Sequence, residues 1–144
     1  MKCSKCNAVI KEDFKYCPYC GTILDTIESL KNDCKNNFIT RNYNKVINIS
    51  TEVIEKYPSI ENIYDFYLYR AMSNFQKKNY LASIDDLTIL IKLYPKDAEY
   101  YKLRGNTYYL MKEDKNAIED FKKYLEKEPN NEKIRDRLQE LLNK

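Results

Sequence analysis

Four of the five cysteines fall within the first 20 residues, as Cys3-x2-Cys6 and Cys17-x2-Cys20. Two residues between cysteines let one tight turn aim both sulfurs at a single metal ion, while its backbone N–H groups donate to the thiolates. Two such turns joined by a hairpin complete a closed tetrahedral sulfur site, the arrangement that structural zinc prefers. One Zn2+ held by Cys3, Cys6, Cys17 and Cys20 is the expectation, with iron and disulfides as the alternatives. Disulfides suit an oxidising compartment, and no apolar signal core follows the first lysines, so a reducing cytoplasm is expected. A site closed by four sulfurs has no open position for water, which argues against hydrolysis at the metal. Asn7 and Gly21 each follow the second cysteine of a pair, where the chain turns with positive φ. The apolar residues beside them, Ile10, Phe14 and Ile23, make too small a core to fold without the ion.

These motifs carry a resemblance. Tyr16-Cys17-Pro18-Tyr19-Cys20-Gly21 is similar to the second knuckle of the short N-terminal zinc ribbons of bacterial and archaeal proteins, with Asn7 in place of the first knuckle's glycine. The resemblance covers residues 1–24 and implies a small β ribbon with one structural zinc. Iron-carrying rubredoxins share the Cys-Pro-x-Cys-Gly end, but their pairs lie much further apart. Ribbons of this kind accompany enzymes, membrane proteins and scaffolds alike.

Beyond Leu24 the pattern changes to helical spacing. Positions answer one another 34 residues apart: Tyr67 and Tyr101, Arg70 and Arg104, Ala71 and Gly105, Ile84 and Ile118, Pro95 and Pro129. A fixed period of this size marks stacked helical units, none of which buries its apolar face alone. Tyr101, Gly105 and Tyr108 share one helix face, Ala117, Phe121 and Tyr124 another, and Pro129 ends the second helix. Small residues at Gly105 and Ala117 mark a close approach of antiparallel helices.

Residues 98–131 resemble a tetratricopeptide repeat, through Tyr101, Gly105, Tyr108, Ala117, Phe121 and Pro129. Residues 64–97 follow with Tyr67, Ala71, Tyr80, Ser83, Leu87, Leu90 and Pro95, departing at Asn74, where an aromatic is usual and the adjacent Phe75 compensates. Residues 27–60 form a weaker third unit, with Cys34 in a small core position and Pro58 set 37 residues before Pro95. Residues 131–144 read as a capping helix through Ile134, Leu138, Leu141 and Leu142. The expected architecture is therefore mainly α, a tetratricopeptide-type helix-hairpin solenoid over residues 25–144 behind a β zinc ribbon. The ribbon itself is expected to cover the free end of the first unit.

The resemblance implies a concave groove lined by the first helix of each unit. Transferred position by position, it offers Lys31, Lys35 and Phe38, then Leu68, Met72 and Phe75, then Lys102, Asn106 and Tyr109 to a partner. An apolar middle ringed by lysines suits an apolar or amphipathic peptide with acidic flanks. Some tetratricopeptide domains clamp the C-terminal carboxylate of heat-shock chaperones; here the clamp positions hold Lys31, Lys35, Tyr69, Glu99 and Leu103, and only Lys31 matches.

Composition narrows the function further. The chain has no histidine, the commonest general base near neutral pH. No phosphate-cradling glycine loop and no activated nucleophile are apparent, so an enzyme is not expected. The formal charge of +3 falls to +1 once four thiolates hold one Zn2+, so neither nucleic acid nor a membrane is a partner by overall charge. The leading expectation is a cytoplasmic, non-enzymatic protein–protein interaction scaffold that binds a peptide or protein in its groove. The alternative is nucleic-acid binding through the ribbon, where Lys2, Lys5, Lys11 and Lys15 lie near Tyr16 and Tyr19, interrupted by Glu12 and Asp13.

Overall fold

The computed structural model describes residues 2–3, 5–9, 17–21, 27–60 and 62–144. Among them are seven helices: α1 (Ile27–Ile39), α2 (Tyr43–Lys56), α3 (Ile63–Gln76), α4 (Tyr80–Leu93), α5 (Ala98–Leu110), α6 (Asp114–Lys127) and α7 (Glu132–Leu142). They pack as three antiparallel hairpins, α1 with α2, α3 with α4 and α5 with α6, stacked in sequence and followed by α7. This is the helix-hairpin solenoid the sequence period implies. Ahead of it, the described part of the ribbon contains an antiparallel bridge between Lys2 and Val9. Ile10, Phe14 and Ile23 lie outside the described residues.

Each hairpin is punctuated in the same way. The first helix ends where the chain enters a left-handed residue, Arg41 (φ 60), Lys78 (φ 62) or Lys112 (φ 60). The amide after it reaches back to the helix, as in Asn42 N to Asn37 O at 2.7 Å and Asn79 N to Asn74 O at 2.8 Å, a Schellman turn that satisfies otherwise orphaned carbonyls. The second helix stops at Tyr57, Tyr94 or Glu128, each directly before a proline. Proline pushes the preceding residue out of the helical region and has no N–H to continue the ladder. Asp97 and Asn131 then cap α5 and α7 by accepting from Glu99 N and Ile134 N.

Packing inside a hairpin follows the small positions. A Cβ on Gly105 would lie 2.8 Å from the Phe121 ring, so α5 and α6 meet closer than alanine permits. Ala117, Phe121 and Tyr124 are all buried, as are Ile134 and Leu141 of α7, whereas Leu142 is exposed. Tyr67, Tyr101 and Tyr108 are half-buried; in α3 and α5 the aromatics fully taken into the interior are their neighbours Phe66 and Tyr100. Phe66 belongs to the core of the first hairpin and Tyr100 to that of the second. α3 and α5 thus each fill the hairpin before them as well as their own.

Between hairpins the chain repeats a polar clamp. Arg104 makes a two-pronged pair with Asp120, Nε to Oδ2 at 2.8 Å and Nη2 to Oδ1 at 2.8 Å, and donates through Nη1 to Thr88 Oγ1 of the preceding hairpin. Arg70 does the same with Asp86 and Thr51. The bonds to the carboxylates hold both guanidinium groups above their ordinary range. Burial pushes the Asp120 carboxyl up against the lowering contact of Arg104, so part of the attraction offsets lost solvation.

Gly105→Ala gains helix propensity of about 1 kcal/mol yet should destabilise by about 1–3 kcal/mol through overpacking on Phe121. A rise in the denaturation midpoint would contradict the close approach. Asp120→Ala should cost about 3–5 kcal/mol by leaving a largely buried guanidinium unpaired, with Arg104→Met in the same chain recovering most of the loss.

Candidate functional site

The four N-terminal cysteines converge. All their sulfurs lie within 4.8 Å of one another, with Cys3 to Cys20 at 3.6 Å and Cys6 to Cys17 at 3.5 Å. Four sulfurs set about 2.3 Å from one ion at tetrahedral angles are about 3.8 Å apart, while a disulfide would bring a pair to about 2.05 Å. The separations therefore fit a four-thiolate zinc site. The two knuckles share one backbone design: Asn7 N donates to Cys3 O at 3.0 Å and Gly21 N to Cys17 O at 2.8 Å. Both donors are left-handed, with φ of 55 and 69.

Electrostatics agree with a cation there. The backbone N–H groups of Cys6 and Lys5 hold the Cys3 thiol below its usual range, which favours the thiolate. At Cys6 the Ala8 N–H lowers the pKa, but lost solvation and the sulfurs of Cys17, Cys20 and Cys3 outweigh it and push the thiol up to about 12. Crowded sulfur anions repel, and a divalent ion relieves that repulsion. Bound there, zinc would supply cross-linking of the two knuckles. The ribbon touches the helices through Tyr57 Oη, which donates to Gly21 O at 2.8 Å.

Cys34 belongs elsewhere. It is buried between α1 and α2, 3.5 Å from Ser50 Oγ, and burial pushes its thiol up to about 11.

The second candidate is the concave side of α1, α3 and α5. A cavity of about 210 Å³ opens there, lined by Phe38, Met72, Phe75 and Asn106 together with Leu87, Leu103 and Ser83. Ser83 Oγ is buried and has no hydrogen-bond partner among the described residues. Asn74, in the place of the usual aromatic, is buried and accepts from Asn79 Nδ2 at 3.4 Å. Phe75 is left half-buried against Tyr80, ring centroids 5.8 Å apart.

The other groove candidates are drawn into the framework. Lys31 Nζ pairs with Asp65 at 2.7 Å across the first two hairpins, and that bond holds its ammonium above the ordinary range. Lys102 pairs with Glu99 at 2.6 Å and lies 5.3 Å over the Tyr124 ring. Tyr109 donates to Glu140 of α7 at 3.0 Å, and Arg137 covers its ring at 5.3 Å while also bonding Asn106 Oδ1. Leu68 is half-buried against the second hairpin's core. Lys35 is exposed and makes none of the ion pairs among the described residues. Around the ribbon, Lys2, Lys5 and Tyr19 are exposed; Lys11, Lys15 and Tyr16, with Glu12 and Asp13, lie outside the described residues.

Comparison with known proteins separates the two parts. A model described as a zinc-ribbon domain matches residues 2–24, and one described as a tetratricopeptide repeat matches residues 98–131. The first tetratricopeptide domain of Spaghetti (RPAP3), solved bound to the HSP90 peptide SRMEEVD, superposes with a TM-score of 0.70 at 22% identity, over 79% of this chain and 88% of that one. The helical array is a tetratricopeptide fold headed by a zinc ribbon. The tetratricopeptide domain of Arabidopsis OM64 gives 0.69 at 23% identity, over 79% and 92% of the two chains. MamA from Desulfovibrio magneticus gives 0.71 at 19%, over 79% and 63%. At these identities the likeness speaks for the fold alone. No curated protein matches the chain. None of the described helices is long and apolar enough to cross a membrane.

For the zinc ribbon, the purified protein should carry one zinc per chain, and a mercurial should release it while titrating four thiols. Cys17→Ser should abolish stoichiometric zinc. Cys34 should react with a thiol reagent near neutral pH only after denaturant is added, since its thiol stays protonated and buried. Fewer than four thiols per zinc would overturn the assignment.

Proposed function

We propose that this protein is a non-enzymatic adaptor that captures a segment of a partner protein in the groove of α1, α3 and α5, with zinc serving only to hold the ribbon together. The observation that carries this reading is the cavity at the first helices, lined by Phe38, Met72 and Phe75 together with Leu87 and Leu103. Apolar walls with a few polar groups are what an extended or helical segment uses to seat an anchoring side chain. Asn106 at the rim and the unpartnered Ser83 hydroxyl offer it hydrogen bonds.

The reading favours an internal, apolar anchor over a C-terminal carboxylate of the kind found on the HSP90 peptide. Lys31 is already neutralised by Asp65, and Glu99 stands where the clamp has a cation. Of the three groove lysines expected to attract acidic flanks, Lys35 is the one that makes none of the ion pairs among the described residues, so a single acidic flank near α1 fits best. Zinc thiolates and the buried Cys34 thiol suit a reducing compartment such as the cytoplasm.

Selection from a displayed library of random peptides should enrich sequences that share one bulky apolar residue. Met72→Asp should weaken those peptides by about 10- to 100-fold, as expected for a charge placed in an apolar pocket, with the melting temperature nearly unchanged. Peptides that bind Met72→Asp as well as the unaltered chain would remove the groove from consideration.

A further inference from the structure

We propose that the edge formed by the turns within each hairpin docks on an anionic phospholipid membrane surface. The turns lie side by side along one edge of the solenoid. Lys77 of the second turn donates to Asn44 at the start of α2, Met111 of the third shares a surface hollow with Leu81, and Lys144 beyond α7 pairs with Asp114 at 3.3 Å.

Charge is segregated onto this edge. Residues 39–45, 76–82 and 110–116 carry six cations, Arg41, Lys45, Lys77, Lys78, Lys112 and Lys115, against the carboxylates of Glu113 and Asp114. Among the described residues, the matching stretches at the opposite edge, 56–60 with 62, 93–99 and 127–133, hold four cations and four carboxylates. All six turn-edge cations are exposed, and none forms an ion pair among the described residues. The near-neutral total of the chain hides this asymmetry, which exists only once the hairpins stack.

Two further features select the occupant. Each turn presents one large aliphatic side chain to solvent: Ile39 is 67% exposed, Leu81 69% and Leu110 51%. Aliphatic side chains that enter the headgroup boundary, with lysines reaching the phosphates, are the composition of an interfacial surface. Single-stranded nucleic acid would instead call for exposed aromatic rings on which bases stack. Moreover, Arg41, Lys78 and Lys112 hold the left-handed conformation in all three turns, where glycine is conformationally cheapest. The chain keeps a cation at each of these positions. Of these stretches only Gln76 also lines the groove cavity, so a docked protein would still offer most of the groove to a partner.

The left-handed positions allow a test that misfolding cannot mimic. Zinc-loaded full chain is sedimented with vesicles of phosphatidylcholine alone or of phosphatidylcholine with phosphatidylserine. Binding should require phosphatidylserine and fall as salt rises. The combined variant Arg41→Gly, Lys78→Gly and Lys112→Gly should bind such vesicles between about 10- and 100-fold more weakly while melting at a higher temperature, because it relieves three left-handed side chains. Ile39→Ser with Leu110→Ser should weaken binding without changing its salt dependence. Equal binding to both vesicle types, undiminished binding by the glycine variant, or tighter binding to a single-stranded oligonucleotide than to the anionic vesicles would each overturn the proposal.

Discussion

The stacking of this molecule turns on one arrangement, an arginine that grips a carboxylate in its own hairpin and a threonine in the hairpin before. A guanidinium has a planar set of donors, so it can satisfy two carboxylate oxygens on one side and a hydroxyl on another without distortion. Arg70 and Arg104 use that geometry identically, at side-chain exposures of 19% and 18%, against aspartates at 4%. Apolar burial drives the hairpins together, but it is non-directional. The clamp fixes the angle at which they meet, and thereby where Phe38, Met72 and Asn106 stand relative to one another. The groove is a product of that angle.

Much of this was legible in the sequence because it is local or strictly periodic. Prolines after the second helices, the small residues at Gly105 and Ala117, and the two cysteine pairs each act within one hairpin or one knuckle. The positive φ expected at Asn7 and Gly21 is observed, and Cys34 sits in the core as its helical register implies. What stayed hidden lies between units. Arginine at the same place in two units was visible, yet its threonine is 19 residues back in one case and 16 in the other. The longer connection after Pro58 breaks that spacing, so no fixed offset reveals it. Phe66 and Tyr100 are hidden for the same reason: they pack into the preceding hairpin, which a pattern confined to one repeat does not describe.

The groove shows the limit of transferring positions from a family pattern. Nine residues were expected to face a partner. Four, Phe38, Met72, Phe75 and Asn106, line the cavity, and Lys31, Lys102 and Tyr109 are engaged by Asp65, Glu99 and Glu140. Each engagement depends on a particular neighbour that the family pattern leaves free to vary. Glu140 and Arg137, which occupy Tyr109, belong to α7, whose apolar face was predictable while its polar contacts were not.

The clamp also has a boundary. In α1 the place held by arginine in α3 and α5 is Asp33, and in α6 the place held by threonine in α2 and α4 is Lys122. Two copies of this array brought end to end would therefore find neither half of the joint that unites their own hairpins. An arginine–threonine register confined to the interior counts against open-ended fibre growth, the hazard that head-to-tail contacts create in modular chains.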